Sequence, residues 1–129
     1  MLGTEEFQTI KNVFAEFGEL CQTHGIKPII LYIPTGLQIY APYTIGVSGS
    51  HLLAVRERQI AARKNTENAI QVLARESRVD LVSLTSVFEG AAAEGKMLYY
   101  SLDTHWNEEG REIAARFIAE MLKKRFLVP

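Results

Sequence analysis

Apolar residues recur at three- and four-residue steps in the first part of the chain, which is the spacing of an amphipathic helix. This apolar stripe consists of Phe7, Ile10, Val13, Phe14, Phe17, Leu20 and Cys21. Thr4 precedes it as a candidate N-cap, and Glu5 and Glu6 lie where the helix dipole favours carboxylates. The pattern predicts a helix over about residues 5–24 that is closed by Gly25 in the left-handed conformation.

Two short apolar runs predict β-strands near 27–33 and 79–84. The first run does not alternate between apolar and polar residues, so we expect both of its faces to be covered, as in a parallel strand. A helix predicted over about 52–77 joins the two strands in a right-handed βαβ unit. Its buried side is expected to consist of Ile60, Ala61, Ala69, Ile70, Leu73 and Ala74.

The segment 35–51 is the least regular part of the pattern, because several glycines and Pro42 interrupt it. Within it, residues 46–50 read Gly-Val-Ser-Gly-Ser and are superficially similar to the nucleophile elbow Gly-x-Ser-x-Gly. The final glycine is missing and no clean strand precedes the motif, so we interpret this segment as a flexible polar loop. His24 and His51, at the ends of the two predicted helices, suit capping or surface positions.

A short helix predicted over 85–94 and an extended piece over 97–100 lead to the clearest helix of the chain. Asn107 is its candidate N-cap, acidic residues fill its first turn, and a basic cluster at 123–125 fills its last turn. Helices therefore flank the strands on both sides in sequence, which predicts a three-layer α/β/α sandwich. Two strands make a small sheet for such a fold, which indicates that part of it is missing.

The composition is that of an ordinary globular protein, since 47% of the 129 residues are hydrophobic and 22% are charged. The length predicts a single domain over 1–129, and a net charge of -1 gives no overall attraction to nucleic acid or an anionic membrane. No apolar run reaches the roughly 18 to 20 residues of a spanning helix, and the N-terminus lacks a signal-peptide pattern. The single cysteine, Cys21, excludes an internal disulfide and is expected in the core.

The densest group of reactive side chains, residues 99–107, precedes the last helix. In an extended conformation Asp103 and His105 project to the same side, with their Cα atoms about 6.6 Å apart. The carboxylate can then hold the imidazole Nδ1–H and leave Nε2 as a general base, while Trp106 shields the pair from water. The same residues also suit a purely structural turn, and a metal site with Glu108 as third ligand is a weaker alternative.

Residues 102–110, Leu-Asp-Thr-His-Trp-Asn-Glu-Glu-Gly, resemble the last motif block of the SGNH (GDSL-like) hydrolases. The two predicted strands and the segment 96–100 are similar to family pieces upstream, so the resemblance spans about residues 7–122. It implies a flavodoxin-like fold, of which this chain forms a part. It also implies a Ser-His-Asp triad in which His105 is the acid–base group and Asp103 orients it.

Two features depart from the commonest family pattern. The spacing is Asp-x-His rather than Asp-x-x-His, and with Trp106 following it resembles a branch that includes polysaccharide O-acetylation proteins. The Gly-Asp-Ser block that carries the nucleophile and the Gly-x-Asn-Asp block are absent from the sequence. The resemblance therefore implies the C-terminal portion of a larger SGNH domain.

The predicted activity of the parent protein is ester hydrolysis or O-acyl transfer, with acetyl groups on a carbohydrate as candidate substrate and without cofactor or metal. The isolated chain is predicted to be inactive, because it lacks the nucleophile and the oxyanion donors. The alternative is a non-catalytic binding or assembly module with a structural Asp-His loop. In the family, earlier strands pair with the strand near 27–33, and this chain lacks them. We therefore expect self-association through the open sheet edge or through exposed helix faces. The compartment stays open between periplasmic, secreted and cytoplasmic.

Overall fold

The chain is mainly helical with two short strands in the computed structural model, which describes residues 4–43 and 50–127. The elements in chain order are α1 (Thr4–Thr23), β1 (Ile29–Tyr32), α2 (Gly36–Tyr40), a 3-10 helix (Ala41–Tyr43), α3 (Ser50–Glu76), β2 (Asp80–Ser83), α4 (Thr85–Ala93), α5 (Glu108–Leu122) and a π-helical turn (Lys123–Leu127). Because β1 and β2 pair in parallel, the α/β class and both predicted strands are confirmed. Within the described ranges no helix is both long and apolar enough to cross a membrane.

The described residues group into two compact units. The first contains α1, β1, α3 and β2 as far as Val82, and the second contains α2, α4, α5 and the loop before α5. The single domain over 1–129 stays a prediction.

In the first unit, α1 packs against α3, and both helices are followed by a residue with positive φ. These residues are Gly25 at 66° and Arg78 at 56°. After α1, the Ile26 amide bonds back to the Cys21 carbonyl at 2.8 Å, which satisfies a carbonyl of the last turn. The predicted closure at Gly25 is therefore confirmed.

Only one flank of the apolar stripe on α1 is covered. Gly18 and Cys21 are buried, as predicted for the cysteine, and a Cβ on Gly18 would clash with the Ser77 carbonyl oxygen. The exposed flank of α1 consists of Val13, Phe17 and Leu20. Within the stripe Cys21 is buried and Ile10 and Phe14 are half-buried, whereas the exposed flank faces outward.

Two expectations about burial are wrong. Ala61, assigned to the buried side of α3, is exposed. All four residues of β1 are half-buried instead of covered on both faces. The physical reason is the small size of the sheet. Within the described residues β2 is the one strand partner of β1, so part of the apolar run of β1 stays uncovered.

In the second unit, α2 lies inside the segment that the glycine and proline pattern marked as irregular, so that expectation is wrong over 36–43. The Thr35 side chain caps α2 by accepting the Gln38 amide N–H at 3.3 Å. Residues 44–49 lie outside the described residues, so the loop interpretation stays a prediction over 46–49, whereas Ser50 begins α3.

The core of the second unit lies where α4 packs against α2 and α5. Its largest fully buried side chains are Pro34, Ile39, Leu84, Phe88 and Leu98. Leu98 is the last of these before the loop that carries Asp103 and His105. The core therefore fixes the point at which that loop begins.

Candidate active site

The loop before α5 is a hairpin held by main-chain bonds. An antiparallel bridge joins Tyr99 and Trp106, the Asn107 amide donates to the Leu98 carbonyl at 2.8 Å, and the Tyr100 amide donates to the His105 carbonyl at 3.1 Å. These bonds bring the two sides of the loop together around residues 101–104. We call the segment 98–107 the site hairpin.

Aromatic packing fixes the inner face of the site hairpin. The Phe88 ring lies 6.0 Å from the Tyr99 ring and 6.2 Å from the Trp106 ring, measured between centroids. The buried Tyr99 hydroxyl donates to the Pro34 carbonyl. These contacts hold the inner face against the core of the second unit.

Asp103 and His105 are in direct contact, as the sequence predicts. The Asp103 Oδ1 atom lies 2.5 Å from the His105 Nδ1 atom and also accepts the His105 backbone N–H at 3.0 Å. The carboxylate therefore closes a local turn and orients the ring at the same time. The predicted extended conformation is wrong, because the segment bends around this carboxylate.

The pair is open to solvent. The His105 side chain is 78% exposed and the Asp103 side chain is 51% exposed. Trp106 does not shield them as predicted, because its ring packs on Phe88. The His105 backbone N–H, followed by its imidazole, lowers the pKa of the Asp103 carboxyl below the ordinary value, so the carboxylate stays ionised.

Asn107 anchors the hairpin to the start of α5. Its Oδ1 accepts the Gly110 amide at 3.0 Å, which confirms the predicted N-cap, and its Nδ2 donates to the Met97 carbonyl at 2.6 Å. The same side chain thus joins both sides of the hairpin. His105 lies two residues before this anchor.

Tyr40 on α2 is a second anchor that the sequence analysis did not identify. Its hydroxyl donates to the Lys96 carbonyl at 2.9 Å and accepts the Leu98 amide at 2.6 Å. Burial raises the pKa of this phenol, so it keeps the proton that it donates. The missed signal is Thr35 followed three residues later by Gln38, a capping-box spacing that predicts a helix start.

The arrangement suits proton transfer. With Nδ1 held by the Asp103 carboxylate, Nε2 is the nitrogen that can take up and return a proton. Among the residues of the described ranges, no three side chains of His, Cys, Asp or Glu converge as a metal ion requires.

Comparisons with known proteins converge on one family. A family model described as "SGNH hydrolase-like domain, acetyltransferase AlgX" matches residues 3–128. The chain is 27% identical over 107 residues to "Probable alginate O-acetylase AlgJ" of Pseudomonas putida, an alignment that covers 83% of this chain and 25% of the relative. The chain therefore spans about a quarter of the length of this relative. No solved structure matches.

Proposed function

Because the chain belongs to the SGNH hydrolase-like family of acetyltransferase AlgX, we propose that it takes part in O-acetyl chemistry on a carbohydrate. One observation carries the proposal, namely the contact between the Asp103 carboxylate and the His105 Nδ1 atom. A carboxylate held on one imidazole nitrogen is the acid–base half of a Ser-His-Asp triad. The name of the Pseudomonas putida relative supports alginate as the carbohydrate.

In the proposed reaction a serine attacks the carbonyl carbon of an acetyl ester. His105 Nε2 takes the hydroxyl proton as the new carbon–oxygen bond forms, and returns it to the oxygen of the leaving group. A sugar hydroxyl or water then releases the acetyl group by the same proton path in reverse. Asp103 stays ionised throughout and stabilises the protonated imidazole.

The serine of this proposal belongs to a segment outside these 129 residues. The chain contains no Gly-Asp-Ser or Gly-x-Asn-Asp block, and it spans about a quarter of its relative. The isolated chain then holds the base and its orienting carboxylate without a nucleophile or oxyanion donors. Such a fragment has no enzymatic turnover of its own.

Hydrolysis of p-nitrophenyl acetate by the isolated chain tests the absence of a nucleophile. We expect a slow, non-saturating rate of the size that exposed imidazoles give, with His105→Ala lowering it no more than His24→Ala. His24 is a matched control because it is also exposed. Saturable turnover that His105→Ala abolishes and His24→Ala spares would place a nucleophile within the chain and overturn this part of the proposal.

A non-catalytic role for the site hairpin is the second candidate. The observation in its favour is the bond from the His105 backbone N–H to Asp103, since that bond closes the turn without using the imidazole. Under this alternative, replacing the His105 imidazole has no effect on acetyl transfer or acetyl-ester hydrolysis by any protein that contains this chain. The proposed function requires the imidazole itself, so the two candidates differ in one substitution.

We also propose that the exposed flank of α1 mediates self-association. Val13, Phe17 and Leu20 expose 58%, 42% and 59% of their surface, and they lie on one face of the helix at i, i+4 and i+7. A contiguous exposed apolar face is costly in water and is covered when a second copy binds to it.

A further inference from the structure

The site hairpin places Tyr100 directly opposite His105. Tyr99 and Trp106 are bridge partners, and the next pair outward along the hairpin is Tyr100 and His105, joined by the bond from the Tyr100 amide to the His105 carbonyl. The Tyr100 and His105 backbones therefore lie side by side across the hairpin.

Burial shows which side chains form the inner face of the site hairpin. Tyr99 is 7% exposed and Trp106 is half-buried, so their side chains form the inner face against Phe88. Successive side chains on a strand point to opposite faces. Tyr100 is 51% exposed and the His105 side chain is 78% exposed, so both are open to solvent.

Tyr100 also differs from its neighbours in how its hydroxyl is used. The hydroxyls of Tyr40 and Tyr99 bond to main-chain groups and fix the structure around the hairpin. The Tyr100 hydroxyl makes no such bond to a described residue, and its ring is exposed beside the proposed base.

We propose that Tyr100 is a substrate-binding residue on which a sugar ring of the acetylated carbohydrate stacks, which rests on the proposed function above. The apolar face of a pyranose fits a flat, half-exposed ring that carries a polar tip, and tyrosine loses little conformational freedom on binding. A sugar stacked there brings its O-acetyl groups to the imidazole across the hairpin. Tyr100 thus selects carbohydrate, and His105 acts on the acetyl ester.

Binding of a short O-acetylated alginate oligosaccharide to the isolated chain tests this role without depending on turnover. In a two-dimensional NMR titration we expect saturable shifts on the site hairpin and NOEs between sugar ring protons and the Tyr100 ring. Tyr100→Ala should raise the Kd roughly tenfold, whereas Tyr100→Phe should stay within about twofold, because stacking needs the ring and not the hydroxyl. Tyr43→Ala is the matched control, since Tyr43 is 50% exposed in the same unit and should leave the Kd unchanged.

Each outcome bears on the inference. The absence of saturable binding, the absence of NOEs to Tyr100, or a Tyr100→Ala variant with unchanged Kd overturns it. A parallel loss for Tyr43→Ala also overturns it, because the effect would then not be specific to the hairpin. Unfolding by urea should be the same for the parent and Tyr100→Ala, which separates lost stacking from lost structure. Failure here leaves the His105 requirement intact, since that requirement is measured by acetyl transfer and not by binding.

Discussion

At the scale of single residues, Asp103 has two bonds that do different work. Its Oδ1 atom accepts the His105 backbone N–H, which shapes the turn, and contacts the imidazole Nδ1, which orients the base. The backbone bond is the larger cause of the lowered pKa of Asp103, and the imidazole is the second. Part of the lowering of the Asp103 pKa is therefore expected to remain when the imidazole is removed.

This order of causes predicts how Asp103 titrates. Because its pKa in the folded state lies below the ordinary value of 3.8, the ionised carboxylate stabilises the loop above that pH. The stabilisation is lost as the pH falls through the lowered pKa. A carbon-detected NMR titration of the Asp103 carboxyl should give a pKa below 3.8, and in His105→Ala a pKa that rises only in part, since alanine keeps the backbone N–H. A return to 3.8 in His105→Ala would show that the imidazole alone lowers the pKa.

The sequence predicts the Asp103–His105 contact from their spacing of two residues, although the extended conformation that the prediction assumed is wrong. It does not predict the exposure of the pair. Trp106 alternates onto the inner face of the hairpin and packs on Phe88, a residue distant in sequence. This contact depends on how α4 packs against the hairpin, and the spacing of residues within the loop does not predict that packing.

At the scale of elements, Asn107 joins the start of α5 to the site hairpin. Its Oδ1 caps the helix and its Nδ2 holds the Met97 carbonyl, so both ends of the amide are used. The sequence predicts the cap, because Asn107 is followed by Glu108 and Glu109, which the helix dipole favours in the first turn. The sequence does not predict the bond to Met97, because that bond forms only when the site hairpin brings residues 97 and 107 together.

Substitution of Asn107 should separate the two bonds. Asn107→Ala loses both and should lower the free energy of unfolding by about 2 kcal/mol, whereas Asn107→Asp keeps the capping acceptor and should lose about half of that. Urea unfolding followed by circular dichroism measures both variants. Equal losses for alanine and aspartate would contradict the assignment of the capping role to Oδ1.

Helix α2 forms in a segment where glycine and proline interrupt the apolar pattern. Glycine and proline positions indicate irregular structure over 35–51, yet residues 36–43 are helical and Tyr40 bonds to the main chain at Lys96 and Leu98. The Thr35 to Gln38 capping spacing was a local signal for the helix. The tertiary bonds of Tyr40 stabilise a helix too short to persist alone.

At the scale of the whole molecule, the class and the strand positions follow from sequence, and the coverage of each face does not. Periodicity marks the apolar stripe of α1 correctly but cannot tell which part of it another element covers. In the structure α1 packs against α3, Gly18 and Cys21 are buried, and the exposed flank of α1 is not covered by a described residue. Which side of α1 is buried depends on the elements that pack against it, and the apolar periodicity of one helix does not specify them.

The exposed flank of α1 predicts a concentration-dependent oligomer. Light scattering at high micromolar concentration should give a mass above the 14.5 kDa of one chain, and Leu20→Lys should reduce it by placing a charge in the apolar contact. Met97→Lys is the matched control, because Met97 exposes 57% of its surface outside this flank. A clean monomer for the parent chain, or an equal effect of Met97→Lys, would contradict the prediction.

Acetyl transfer by a chimera measures directly whether Asp103 and His105 form the acid–base half of the site. This chain replaces the matching segment of the Pseudomonas putida relative, and the acetyl content of alginate is measured in cells that lack the native relative. We expect that the chimera acetylates alginate, that His24→Ala retains this activity, and that His105→Ala lowers it by about a hundredfold or more at equal protein level. A His105→Ala chimera as active as its parent would contradict the claim that Asp103 and His105 form the acid–base half of the site.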